Sequence, residues 1–204
     1  MIQELTVLSG KGGTGKTSIT AALGSFAKRA IFTDCDVDAA DLHLLFSPKV
    51  LETYNFEGGA KAEINENACT GCGICYDACR FDAIRHTGNG LFVIYPLHCE
   101  ACRLCERICP ESAITSIRSM NNHWFVSDTR FGPLIHARMG PGEENSGKLV
   151  TTVREKAREI ARQRSYDIII NDGPPGIGCP VIASLAGIHK ILLVTESSKS
   201  GYQD

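Results

Sequence analysis

The chain has 204 residues, 43% of them hydrophobic, enough to enclose a core in one domain or in a domain carrying a small insert. Its 21 basic and 23 acidic residues leave a formal net charge of -2, so no bulk field recruits nucleic acid or an anionic membrane. No apolar run approaches the roughly 18 residues of a membrane span, and strand-like sequence begins without a basic-then-apolar leader, so a cytoplasmic protein is expected.

The first predicted element is a strand over Leu5 to Ser9. It runs into "GKGGTGKT", in which Gly10, Gly15, Lys16 and Thr17 have the G-x-x-x-x-G-K-T spacing of a phosphate-binding loop. Backbone N–H groups and the start of the following helix attract phosphate oxygens in such a loop, and Gly12, Gly13 and Thr14 belong to the same cradle. One lysine, Lys16, suffices for that task, so Lys11 calls for a separate role. A helix is predicted from Thr17 to Arg29, followed by a strand, "AIFTDCD", whose end is crowded by Asp34, Asp36, Asp38 and Asp41.

Ten cysteines are too many for packing, and without an export signal disulfides are a poor explanation for them. Cys69, Cys72, Cys75 and Cys79 form C-x2-C-x2-C-x3-C, and Cys99, Cys102, Cys105 and Cys109 repeat it, with Pro110 after the last. That is the ligand run of a bacterial two-cluster ferredoxin. "CRFDAI" from Cys79 matches "CPESAI" from Cys109 at an offset of about thirty residues, so the segment holds two copies of one unit. Three thiolates on a tight loop grip three corners of a cubane and a remote one takes the fourth. Crossed ligation follows: Cys69, Cys72, Cys75 and Cys109 for one [4Fe–4S] cluster, and Cys99, Cys102, Cys105 and Cys79 for the other. Gly71 and Gly73 let the first loop fold tightly. Structural zinc fits less well, because zinc sites pair two C-x2-C knuckles. Arg80 stands where the second repeat has Pro110, which alters the turn but removes no ligand.

Beyond the repeats, "HARMGPGEENSGK" (His136 to Lys148) is a glycine-rich connector, with Ser146 expected to cap the helix predicted in "GKLVTTVREKAREIARQRS". "YDIIIND" reads as a buried parallel strand ending at Asp172, the place for a magnesium-organising carboxylate. A mobile loop, "GPPGIG", a helix from Pro180 to Ile188 and a strand "KILLVT" complete the pattern. The fold class is therefore α/β, a doubly wound, mostly parallel sheet (residues 1–59 and 121–204) interrupted by a ferredoxin-like α+β insert (residues 60–120).

"GKGGTGKT", "DCDVDAADLHLL" and "IINDGPPGIGCPVIASLAG" together resemble the MinD/ParA group of deviant phosphate-loop ATPases, relatives of the nitrogenase iron protein. With the cysteine repeats, the resemblance narrows to members carrying an inserted ferredoxin domain. It implies ATP or ADP with Mg2+ as ligands, two [4Fe–4S] clusters, and a homodimer or a heterodimer with a similar ATPase. Lys11 resembles the signature lysine that reaches across the dimer to the partner's ATP. Lys16 would contact the β- and γ-phosphates, and Thr17 and Asp172 would hold magnesium. Asp36 resembles the first-switch aspartate that orients the attacking water, with Asp34, Asp38 and Asp41 as rivals; the other use for Asp38 and Asp41 is helix capping. Gly173 and Gly176 resemble the second-switch hinge. Family members continue past the equivalent of Asp204, so the C-terminal part of the ATPase fold is expected to be absent.

Cys35 reads as a small buried hydrophobe. Cys179 lies where the nitrogenase iron protein places a cluster ligand, which leaves a subunit-bridging, a redox-sensing and a plain packing role open. The histidines show no paired ligand spacing, and Arg130, Arg138 and Lys148 could address a partner or phosphate. The expected function is an ATPase whose nucleotide-driven change gates electron transfer through two clusters to a redox partner. Its rivals are a cluster carrier serving an acceptor protein and a redox-sensing interaction switch.

Overall fold

The computed structural model describes residues 2–118, 120–140, 147–199 and 201. In chain order these begin with β1 (Gln3–Ser9), α1 (Lys16–Phe26), β2 (Ala30–Asp34), α2 (Leu42–Phe46) and β3 (Lys49–Phe56). The middle holds β4 (Ala60–Ile64), α3 (Ile74–Ala78), β5 (Ile84–His86), β6 (Phe92–Ile94), α4 (Leu104–Ile108) and β7 (Ile114–Arg118). The remainder holds β8 (Asn122–Asp128), β9 (Leu134–Arg138), α5 (Lys148–Gln163), β10 (Ile168–Pro175), α6 (Cys179–Leu185) and β11 (Lys190–Leu193). The chain divides into two compact units, with residues 57–122 forming most of the second.

The first unit is built on a seven-stranded sheet of order β11-β1-β10-β2-β9-β8-β3. β1 pairs parallel with β10 and β11, β2 parallel with β10 and β9, and only the β8–β9 pair is antiparallel among the registers described. Successive strand residues point to opposite faces, and this builds two cores. Ile31, Ile135 and Ile169 pack beneath Leu149, Val150, Val153, Ala157 and Ile160 of α5. Phe32, Leu134 and Ile170 face the other way, against Leu42 and Phe46 of α2 and Ala21 and Leu23 of α1. The mostly parallel α/β class read from the sequence is the fold observed.

Several element ends differ from their expected places. α1 stops at Phe26 rather than Arg29, because Ala27 is extended and Arg29 is left-handed (φ 53°), turning the chain into β2. β10 continues past Asp172 to Pro175, held extended by β1 as far as the Ser9–Pro175 pairing. Gly173 is therefore part of a strand, not of a mobile loop. A Cβ there would lie 2.6 Å from the Val7 carbonyl oxygen, so only glycine fits beside β1. α6 ends at Leu185, short of Ile188. Gly147, left-handed at φ 76°, is the N-cap of α5, and the expected cap Ser146 lies outside the described residues.

A buried ion cluster joins these layers. Glu4, 3% exposed, accepts from Arg154 Nε (2.8 Å) and Nη2 (2.6 Å), from Arg158 Nε (2.9 Å) and Nη2 (2.6 Å), and from Asn171 Nδ2 (3.0 Å). Arg154 also donates to the Ala183 and Ala186 carbonyls of the α6 end.

The second unit is two copies of one strand–helix–strand motif. β4 pairs antiparallel with β7, and β5 with β6. Ala62, Ile84, Phe92, Ile94 and Ile114 pack with Cys75 and Cys99 into its small core.

Two predictions concern stability. Arg154→Met strands the Glu4 carboxylate with one guanidinium fewer in the interior and is expected to cost about 3 kcal/mol by urea unfolding. His136, stacked on Phe125 (centroids 5.0 Å) and sharing a 3.0 Å hydrogen bond with Ser127, is held neutral by burial and by His43, which lowers it from 6.5 to about 4. The unfolded chain takes up that proton near 6.5 and the folded one does not, so stability falls as pH drops from about 6.5 to about 4, by about 3 kcal/mol. The stability difference between wild type and His136→Gln, followed by urea unfolding across that window, is expected to show this slope.

Candidate functional site

The phosphate loop joins β1 to α1 at the carboxyl ends of the parallel strands, where open α/β sheets bind ligands. Gly13 (φ 81°) and Gly15 (φ 92°) are left-handed, turning the chain so that α1 opens at Lys16. The Ser9 hydroxyl donates to the Lys11 carbonyl at 2.6 Å and ties the loop back to the strand. Gly12, Gly13, Gly15, Lys16 and Thr17 form one wall of a cleft of about 570 Å3, a size suited to a small polar ligand. Asp36, Asp38 and Asp41 line the same cleft, as do Pro174 and Pro175 of β10 and Pro180 of α6.

The two lysines separate. Lys16 is 6% exposed and lines the cleft, on the same buried face of α1 as Thr20. Lys11 is exposed and contributes nothing to the cleft wall. Gly10, just past β1, is half-buried, and Gly173 and Gly176 flank Pro174 and Pro175 in the chain without lining the cleft. Gly176 is left-handed (φ 83°) with open space around it.

Asp172 sits beside Asp34 across the parallel β10–β2 pair, and both are buried. Burial raises the Asp34 carboxyl well above its usual range and its charged neighbour Asp172 adds to this; burial likewise raises Asp172, against the Thr17 and Thr20 hydroxyls and Lys16. Thr20 Oγ1 donates to Asp172 Oδ1 at 3.0 Å, while Asp172 Oδ2 is buried without a partner among the described residues. That orphaned oxygen and the Thr17 hydroxyl nearby are hard oxygen donors of the kind magnesium takes alongside water and phosphate oxygens, so the residues fit a share of its shell. Asp34 is differently engaged: its oxygens accept from the Asp36 N–H (3.2 Å) and the Leu42 N–H (3.0 Å). It thereby caps α2, the task foreseen for Asp38 and Asp41, and stays off the cleft wall. Asp41 occupies the N-cap position but makes no capping bond through its side chain. Asp36 is pushed up to about 6 by burial, against the pull of Lys16, which leaves it able to exchange a proton near neutrality. Thr20, Ser18 and the three prolines were not foreseen; the four-residue step from Lys16 to Thr20 was the available signal for one of them.

In the second unit the cysteines line two small cavities of about 10 and 20 Å3. Cys69, Cys72 and Cys75 share the first with Cys109; Cys99, Cys102 and Cys105 share the second with Cys79. The structure thus brings together the crossed sets expected from spacing. Burial pushes the Cys105 thiol up to about 11 and raises Cys75, so thiolate charge in these cavities calls for a cationic guest such as iron. Gly71 and Gly73 are left-handed, as are their counterparts Ala101 (φ 52°) and Arg103 (φ 62°), residues that pay more strain for that conformation.

The other candidates fall away from both places. Cys35 is fully buried just beyond β2, its thiol pushed up to about 12 by burial, and its N–H donates to the Asp172 carbonyl at 2.8 Å. Cys179 is exposed at the first turn of α6. Arg130 lies over Phe131 and Lys148 over Phe56, while Arg138 borders a groove on the far side of Asp38 and Asp41.

Residues 62–116 match the family model of a 4Fe-4S dicluster domain. The whole chain is 36% identical to the uncharacterized protein MJ0578 of Methanocaldococcus jannaschii and covers 71% of it. It is 26% identical, over 98% of its length and 71% of the relative's, to MJ0579 of the same organism. Among solved structures, the septum site-determining protein MinD of Pyrococcus horikoshii in complex with Mg-ADP aligns at 19% identity and a TM-score of 0.49, over 100% of this chain and 61% of that one. The chain therefore spans about three fifths of the length of that solved chain. At 36% identity across its full length, the protein belongs to the family of MJ0578, here an α/β domain with a phosphate-loop motif and a 4Fe-4S dicluster insert.

Proposed function

We propose that the protein is a cytoplasmic ATPase in which nucleotide binding and hydrolysis, acting through a dimer, gate electron transfer through two [4Fe–4S] clusters to a redox partner. One feature of the chain path carries this reading. The acidic segment Asp36–Asp41 that walls the phosphate cleft is joined to the cysteine-bearing unit by α2 and β3 alone, and β8, which leaves that unit, neighbours β3 in the sheet. A displacement of the acidic wall has a short covalent route to the cluster-bearing segment.

In this scheme Gly12, Gly13, Thr14 and Gly15 present N–H groups to the phosphates, and Lys16 neutralises their charge. Thr17 and Asp172 would hold magnesium, which supplies further charge neutralisation at the phosphates. Asp36 accepts a proton from, and orients, the attacking water. Pro174, Pro175 and Gly176 lead from the cleft to α6 and form the second switch. Lys11, exposed and off the wall, is free to reach a second copy or a similar ATPase; two relatives from one organism support a pairing of similar chains. A cluster-carrier role is a second reading, favoured by the exposure of Cys72 and Cys102 on their loops. Clusters that a chelator strips at once, and that do not cycle reversibly in place, would select the carrier.

Two tests follow. Anaerobic protein reconstituted with iron and sulfide is expected to hold about eight irons and eight sulfides per chain. Cys79→Ala should abolish the signal of the cluster held by Cys99, Cys102 and Cys105 and spare the other, although Cys79 lies in the first repeat; loss of the other signal alone would refute crossed ligation.

Lys11→Ala is expected to leave ADP binding near normal, with an affinity change of a few tenths of a kcal/mol. ATP-dependent dimerisation by sedimentation, and turnover, should fall at least tenfold, as for a cation delivered to the transferring phosphoryl group. Equal dimerisation and turnover in the two proteins would reject the cross-subunit role.

A further inference from the structure

The two cysteine cavities have related walls but different charges. The first is bordered by one ionisable side chain besides its cysteines, Glu111. The second is bordered by Glu100 and Arg103, and Arg103 is spent on Glu106 (Nε to Oε2 3.1 Å). By these side chains alone the two sites would be close to equal.

Lys61 breaks the balance. It lies on β4, half-buried, and its ammonium donates to the Cys99 carbonyl oxygen at 2.7 Å, at the base of the second cysteine loop. No carboxylate among the described residues forms an ion pair with it. The repeat offset that carries Cys69 onto Cys99 carries Lys61 onto Leu91, just before β6. There the backbone approaches the first cysteine loop in turn, with the Gly90 carbonyl oxygen 2.6 Å from where a Gly71 Cβ would stand. The same place in the two repeats therefore holds a cation beside one loop and an aliphatic side chain beside the other.

We infer that Lys61 makes the two sites unequal in redox potential, so that the site of Cys99, Cys102, Cys105 and Cys79 takes the first electron. Lys61 is a positioning residue here: it acts through the Cys99 peptide and touches no reacting atom. The inference rests on the reading of both cavities as [4Fe–4S] sites and adds an order of filling. One electron arriving at either site adds one negative charge, with no bond broken and no proton moved. A fixed cation nearby favours that reduced form, and the partly buried setting limits screening by salt. The donor in the test is dithionite, whose sulfur dioxide radical anion gives up the electron and ends as sulfite.

The experiment is a reductive titration of the anaerobic, reconstituted protein, followed by paramagnetic resonance. Wild type is expected to show two separate one-electron steps. In Lys61→Met the reduced-to-oxidised ratio of the upper step, at a fixed ambient potential, is expected to fall about tenfold, a shift of ~59 mV for one electron, with a smaller change in the lower step. Lys61→Arg should restore it. Leu91→Lys, which places the cation beside the first loop, should raise the lower step and serves as the deciding variant if Lys61→Met loads poorly. A single unresolved step in wild type, an unmoved upper step in a fully loaded Lys61→Met, or an unmoved lower step in Leu91→Lys would overturn the inference. Failure of wild type to take up iron and sulfide would instead overturn the cluster reading beneath it.

Discussion

The Glu4 carboxylate is the point from which the first unit is braced. A charge buried to this extent survives only when every lone pair is occupied, and two guanidinium groups and an amide occupy them. Those donors come from α5 and β10, while the arginines also reach the carbonyls that end α6. The Glu4 N–H in turn donates to His189 Nδ1 at 3.1 Å, next to β11. One carboxylate at the start of β1 thus fixes the strand that delivers the phosphate loop, the strand that delivers Asp172, and the far end of the helix that follows Gly176. Pro180, at the near end of α6, lines the cleft instead. The arginine bonds and the cleft contact thus lie at opposite ends of α6.

The same separation appears among the aspartates. Asp34 and Asp172 occupy adjacent places on paired strands, and the Asp172 charge raises the proton affinity of Asp34 on top of the cost of burial, while Asp172 is raised by its own burial. Asp34 resolves its position through backbone N–H groups, whereas Asp172 retains one oxygen with no partner among the described residues. A buried acceptor left in that state is destabilising unless a ligand completes it, which is the physical content of a divalent-cation site.

In the second unit, duplication supplies two equal frames and local substitution makes them different. Gly71 and Gly73 take left-handed backbone freely, while Ala101 and Arg103 accept strain at the same places. Hydrophobic residues at matching positions, such as Ile84 and Ile114, keep the frames superimposable. Charge is where the copies part.

The sequence by itself determined what depends on near neighbours: the phosphate loop, the two cysteine runs, and the alternation of strands and helices. Ligands a few residues apart must be spaced by the chain itself, and a buried parallel strand such as "IIIND" has to be apolar on both faces, so both leave local marks. The crossed grouping of the cysteines around two cavities was legible too, because repeat geometry is written in the offset. Tertiary structure decided the rest. Asp34 meets Asp172, Thr20 bonds Asp172, Glu4 is buried by Arg154, and Lys61 reaches Cys99 across separations of tens to more than a hundred residues. The extension of β10 to Pro175 likewise came from pairing with β1, against the turn signals of "GPPG". Strand register and helix packing set such contacts, and no window of neighbouring residues encodes which distant carboxylate will lose its water.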